Sequence, residues 1–237
     1  MFPSMQVQQS YSVGATSEQV AVRSLLQKVY AWMAAGLGLT ALTAFVVASS
    51  PTLWNLFLGT PLFYGCIIAE LVMVFAFSAV VRRVSVPVAL LFFLAYAVLN
   101  GLTLSFVFLA YTGASVAGTF IATAGTFGAM SAFGTLTKMD LSRYGSYLIM
   151  GLWGVIIGSV VNVFFASGPL YWAITYIGIF IFIGLTAYDT QKIKELALAH
   201  GMSDEQRAKG ALHGALILYL DFINLFLLLL RLFGRRR

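Results

Sequence analysis

The sequence predicts an all-α, polytopic membrane protein with seven transmembrane helices, and three observations carry that prediction. The 237 residues are 60% hydrophobic and only 9% charged, with a mean hydropathy of +0.92; soluble domains carry roughly 25% charged residues. A soluble fold of this size could not bury so much apolar surface, so lipid must solvate most of it. Seven runs reach the length of about 20 apolar residues that a helix needs to cross the hydrocarbon core. The basic residues cluster in alternate connections between those runs, as in a multiply spanning chain.

The first 28 residues, MFPSMQVQQSYSVGATSEQVAVRSLLQK, are polar and lack the charged start, short apolar core and small-residue cleavage site of a signal peptide. They are expected to form a flexible cytoplasmic tail over 1–26, ahead of a single seven-helix domain over 27–237. Span 1, about 29–49, then acts as the uncleaved insertion signal. Spans 2 to 6 follow at about 62–81, 88–110, 115–136, 144–166 and 169–190. Span 7, about 211–231, is long enough but carries His213, Asp221 and Asn224. Pro51, Pro61, Pro87 and Pro169 fall at the joints, where a missing N–H is harmless.

Within span 4, Gly118, Ala122, Gly125, Ala129 and Ala132 recur at steps of four and three. That spacing shares one helical face and predicts tight helix–helix packing there. No internal repeat points to an inverted-repeat transporter.

Of the 14 Lys and Arg, Arg23 and Lys28 precede span 1, and Arg82 and Arg83 follow span 2. Lys138 and Arg143 follow span 4; Lys192, Lys194, Arg207 and Lys209 follow span 6. The connections after spans 1, 3 and 5 have none. The N-terminal segment and the even-numbered connections therefore face the cytoplasm. Arg231 and Arg235 to Arg237 break the pattern: they lie on the far side if span 7 crosses completely, which is the expectation here, and return to the cytoplasm if it re-enters.

The net charge of +6 reflects these helix-end cations. No basic run interleaved with aromatics forms a nucleic-acid module. The single cysteine, Cys66, lies in an apolar run, which excludes a disulfide framework or a cysteine-based metal site. The zinc-binding H-E-x-x-H, the Walker A loop and G-x-G-x-x-G are all absent. His213 is the only histidine in a span, no serine has a motif context to pair with it, and FASG at 165–168 lacks the leading glycine of the usual rhomboid pattern. The sequence is read as a non-enzyme with no cofactor.

Three of the eight acids, Glu70, Asp189 and Asp221, fall within or at the end of apolar runs. An acid at a helix centre costs about 2.5–3.5 kcal/mol on insertion scales, and such groups usually face a bundle interior, pair up or mark an ion path. A protonated structural carboxyl bonded to a neighbouring helix is the other reading of each. Gly210, Gly214, Ile217, Asp221, Asn224 and Leu228 share one face of span 7, a seam that points Asp221 inward with Asn224 one turn along. His213 falls beside that seam and reads as a packing or interfacial residue.

Asp189 lies where span 6 meets the cytoplasm, with Lys192 one turn on. From Pro169, span 6 travels about 30 Å to Asp189, whereas span 7 travels only about 15 Å from Ala211 to Asp221. Contact between the two acids would need a tilt, a kink or a later start to span 7. If they meet, both cannot ionise easily in low dielectric, and the pair would titrate as one unit near neutrality. They could also bind a hard cation weakly, supplying at most four of the roughly six to eight oxygens that Ca²⁺ takes; such incomplete coordination suits passage better than storage.

The stretches YIGIFIFIGLTAYDTQKIKE and GALILYLDFINLFLLLLRLFG, with AE at 69–70 and the paired arginines Arg82 and Arg83, resemble the Bax inhibitor-1 family, its bacterial branch in particular. The resemblance runs from about residue 20 to the end and implies a bacterial inner-membrane protein whose six helices enclose a central seventh. It further implies a pH-sensitive calcium leak gated by the paired aspartates Asp189 and Asp221. Arg82 or Arg83 would latch onto one of them in the closed state, and Glu70 would line the path on the other side. The 190–210 connection is longer than in shorter members. Calcium ions, protons and the lipid bilayer are the implied partners. The alternative implied by the resemblance is a non-conducting scaffold that restrains a membrane protease or another membrane protein, with structural acids and a working surface in the tail or the 190–210 loop.

Overall fold

The computed structural model describes residues 3–57, 60–199 and 201–237, with side chains described from residue 18 onward. Eight helices follow in order: α1 (Pro3–Ser49), α2 (Pro51–Phe57), α3 (Pro61–Val80), α4 (Val86–Ala110), α5 (Gly113–Leu136), α6 (Ser142–Phe165), α7 (Gly168–Leu198) and α8 (Asp204–Phe233). All but α2 contain a stretch long and apolar enough to cross a membrane. The all-α, seven-span architecture is therefore as expected. Prolines open α2 and α3 and stand in the first turn of α4 and α7, where the ring presets the helical φ and no hydrogen bond is lost.

Four features differ from the expectation, three of them for one reason. Hydropathy measures the hydrocarbon-crossing part of a helix, and these helices run on into water. Helix α1 is already helical well before residue 27, so the expected division at 26/27 falls inside it, and Leu25, Leu26 and Val29 are buried in the main core. Helix α2 is too short to register as a span. Helix α7 continues through the polar QKIKELAL to Leu198, and α8 starts at Asp204, seven residues before the expected 211. The long 190–210 connection thus shrinks to residues 199–203. A capping box fixes the early start of α8: Ser203 Oγ accepts from Gln206 N, Gln206 Oε1 accepts from Ser203 N, and Asp204 and Glu205 complement the helix N-terminus.

Helix α8 is central. It packs against α1, α4, α5 and α7, while α3 leans chiefly on α4 and α6 on α7. Helices α3 and α6 are the outermost, and Ile68, Phe75, Tyr147 and Val163 face outward from them. Leu212, Leu216, Leu218, Tyr219 and Leu225 are almost inaccessible, so α8 is apolar all round because protein surrounds it.

The small-residue stripe of α5 is a correction. Gly118, Ala122, Gly125, Ala129 and Ala132 all lie on the exposed side, and Gly118 and Gly125 have open space around them. The inward face consists instead of Val116, Thr119, Thr123, Phe127, Ser131 and Gly134. This face is the one that meets α7 and α8: Thr190 Oγ1 of α7 donates to Ser131 Oγ at 3.3 Å, Gly134 lies against the Ala187 backbone, and the Phe127 ring packs edge-on to Phe222.

Candidate functional site: a carboxyl pair beside the central helix

Three contacts set the register between antiparallel α7 and α8. A Cβ on Gly210 would meet Leu196, one on Gly214 would meet Ile193, and one on Gly178 would meet Leu228. In each pair the residue numbers sum to 406 or 407, so Asp189 stands level with about residue 217. Asp221 lies one turn, about 6 Å, further along α8. Side chains lean towards the N-terminus of their own helix. Because the helices run in opposite directions, Asp221 leans towards the level of Asp189, and Asp189 leans back towards Asp221.

The two carboxyls accordingly lie within hydrogen-bonding reach of each other. The expected depth conflict disappears because α7 ends later and α8 starts earlier than expected, which leaves both acids inside their helices. Helix α7 runs on to Leu198, so Asp189 lies about 14 Å inside its end. Asp221 is only 5% exposed, and its Oδ2 is buried with no donor. As two carboxylates the groups are acceptors only. A carboxyl supplies a donor only in its protonated form.

Short-range anchors fix α7 around Asp189. Gln191 Oε1 accepts from Leu141 N and its Nε2 donates to Met139 O, both at 2.8 Å. Lys194 Nζ donates to Thr135 O at 2.7 Å, satisfying an orphan carbonyl at the end of α5. Gly134 of α5 lies so close to Ala187 that any Cβ would clash with the Ala187 carbonyl, and a Cβ on Gly145 of α6 would press on the Tyr188 ring. Lys192 is exposed, its Nζ 5.0 Å from the Tyr188 ring centroid.

Glu70 belongs to a separate cluster. Its Oε1 accepts from Thr103 Oγ1 at 2.6 Å and its Oε2 from Asn100 Nδ2 at 3.3 Å. Asn100 Oδ1 accepts from the Tyr219 hydroxyl at 2.9 Å, and that hydroxyl lies 2.7 Å from Thr40 Oγ1, which donates to Ala97 O. This chain ties α3, α4 and α1 to the central helix. Tyr219 and Asp221 are two residues apart, roughly 200° around α8, so the Glu70 cluster and the aspartate pair flank opposite sides of it. Asn100, Thr103, Tyr219 and Thr40 escaped the sequence reading, although an Asn in mid-span was a signal of the same kind as Glu70.

The seam residues divide. Gly214 packs on Ile193 and Val29, as a seam requires, whereas Asn224 Nδ2 donates to Leu220 O of its own helix at 2.8 Å and serves neither acid. His213 stacks on Phe77 with ring centroids 6.3 Å apart, a packing role. Neither Arg82 nor Arg83 forms an ion pair with Asp189 or Asp221; the ion pairs among the described residues are Arg143–Asp140 and Lys209–Glu205. Arg82 instead borders a cavity of about 340 Å³ with Gln206, Lys209 and His213. The implied latch is therefore not engaged in this conformation. No three His, Cys, Asp or Glu side chains converge among the described residues, so a cation at the pair would draw carboxylate oxygens from Asp189 and Asp221 alone.

A family profile described as "Inhibitor of apoptosis-promoting Bax1" matches residues 22–237. The chain belongs to this Bax inhibitor family. Inner membrane protein YbhL of Escherichia coli is 47% identical over 218 residues, covering 91% of this chain and 93% of that protein. An uncharacterized protein of Deinococcus radiodurans is 43% identical over 215 residues, with 91% and 92% covered. One of Borreliella burgdorferi is 43% identical over 213 residues, with 90% and 92% covered. The matches span nearly whole chains, so both the aspartate pair and the Glu70 cluster lie inside the shared region. The chain is an integral membrane member of the Bax inhibitor family.

Proposed function

We propose that this family member is a pH-sensitive calcium leak of the bacterial inner membrane, closed by the Asp189–Asp221 pair. The observation that carries this reading is the meeting of two carboxyls against the central helix, one of them with an oxygen that lacks any donor. A shared proton joins α7 to α8. Removing it leaves two facing negative charges in low dielectric, which favours separation and presents oxygen ligands to a hard cation. Two carboxylates with water complete only a weak site, which suits an ion that must leave again. Arg82 and Arg83 stand at the cytoplasmic end of α3 as candidate partners of a separated carboxylate, and Glu70 lies on the opposite side of α8. The name of the relative YbhL supports the inner-membrane location.

The test is calcium entry into liposomes that contain only this protein, followed with a trapped indicator. The expected result is a flux above that of empty liposomes that changes between about pH 6 and 8. No flux from folded, correctly inserted protein would sink the leak reading and favour a scaffold that binds a membrane protease or another membrane partner.

A further inference from the structure

The arginines that follow the last span are held in place by the fold. Residues beyond α8 turn back and pair with the α4–α5 junction: Tyr111 and Arg236 form an antiparallel bridge, Thr112 N donates to Arg235 O at 3.1 Å, and Arg237 N donates to Ala110 O at 3.0 Å. Arg235 N also donates to Ser115 Oγ at 3.0 Å. Gly234 makes the turn possible, since a Cβ there would lie 2.6 Å from the Tyr111 ring. The result holds Arg236 beside the hydroxyls of Tyr111 and Tyr171 and Arg231 over the Tyr171 ring, 5.4 Å from its centroid.

This arrangement settles α8 as a full crossing, because the junctions after α4 and α6 are the ends without Lys or Arg that face away from the cytoplasm. On that face the connections contain no Asp or Glu. Four exposed arginines, Arg231 and Arg235 to Arg237, therefore lie on the unfavoured side of the membrane without a side-chain counter-ion. Around them, Trp172, Tyr176, Phe165 and Phe233 are exposed, an aromatic belt of the kind that marks headgroup level. Guanidinium forks match phosphate oxygens bidentately, and basic clusters at this height bind lipid headgroups.

We infer that Arg231 and Arg236, braced by Tyr171 and Tyr111, form a site for the phosphate of an anionic phospholipid in the extracytoplasmic leaflet. The site stands independently of the leak reading. Its occupant clips the end of the central helix to α4, α5 and α7.

The test is native mass spectrometry of the full chain released from bilayers of equal phosphatidylglycerol and phosphatidylcholine. Wild type is expected to retain phosphatidylglycerol in preference. An Arg231→Gln/Arg236→Gln variant should lose that preference about tenfold, as expected when charge-assisted bonds are removed, while the cytoplasmic Lys138→Gln/Arg143→Gln variant keeps it. Equal retention of both lipids by wild type, or a preference that survives in the first variant, overturns the proposal. Millimolar inorganic phosphate displacing the lipid completely would reassign the site to a free anion and overturn the lipid assignment. Should the double variant fail to fold, Arg236→Lys keeps the charge and loses the planar fork: a reduced preference supports the site, and an unchanged one overturns it.

Discussion

Asp221 on the central helix and Asp189 on α7 meet although their positions are one turn out of register, because each side chain leans towards the N-terminus of its own helix. The contact therefore depends on the antiparallel register of α7 and α8, which small residues and their apolar partners set at Gly210, Gly214 and Gly178.

The tightest backbone approach near this site is Gly134 against Ala187. Gly134→Ala has no flexible side chain to displace, so α5 and α7 must separate. A loss of about 1–3 kcal/mol is expected, read as a lower unfolding midpoint in detergent. Ser131→Ala on the same face deletes a single hydroxyl contact and should cost less.

Tyr219→Phe removes the hydroxyl that Asn100 Oδ1 and Thr40 share. The expected cost is about 1 kcal/mol in thermal or denaturant unfolding. Because Tyr219 faces away from Asp221, the pH response of any calcium flux should survive. Its loss would mean that the Glu70 cluster and the aspartate pair act as one unit.

The two ends of α8 should lie on opposite sides of the membrane. In a Cys66→Ser background, Arg235→Cys is expected to react with a membrane-impermeant maleimide added outside intact cells. Asp204→Cys should react only after permeabilisation. Equal labelling of both before permeabilisation would contradict the full crossing.

The seven crossings were legible because the hydrocarbon core imposes one length on every span, and prolines and cations mark where each stops. The polar turns of α7 beyond Asp189 and of α8 before Ala211 were not legible that way: they are helical in water, where hydropathy is silent. The S-x-x-Q capping box at Ser203 and Gln206 held that information locally. The inward lean of Asp221 followed from its spacing with Gly214. The glycine–alanine stripe of α5 misled because spacing defines a face without naming its neighbour, and the face with Phe127, Ser131 and Gly134 packs on α7 and α8 instead. The Glu70 cluster needed four helices brought together, which no single segment announces.

Calcium flux into liposomes holding only this protein, compared between wild type and Asp221→Asn across about pH 6 to 8, tests whether the carboxyl pair closes the leak. Wild type should show a pH-dependent flux and the variant a flux independent of pH, because its amide gives Asp189 a permanent donor and does not titrate. An unchanged pH response in folded Asp221→Asn protein would contradict it.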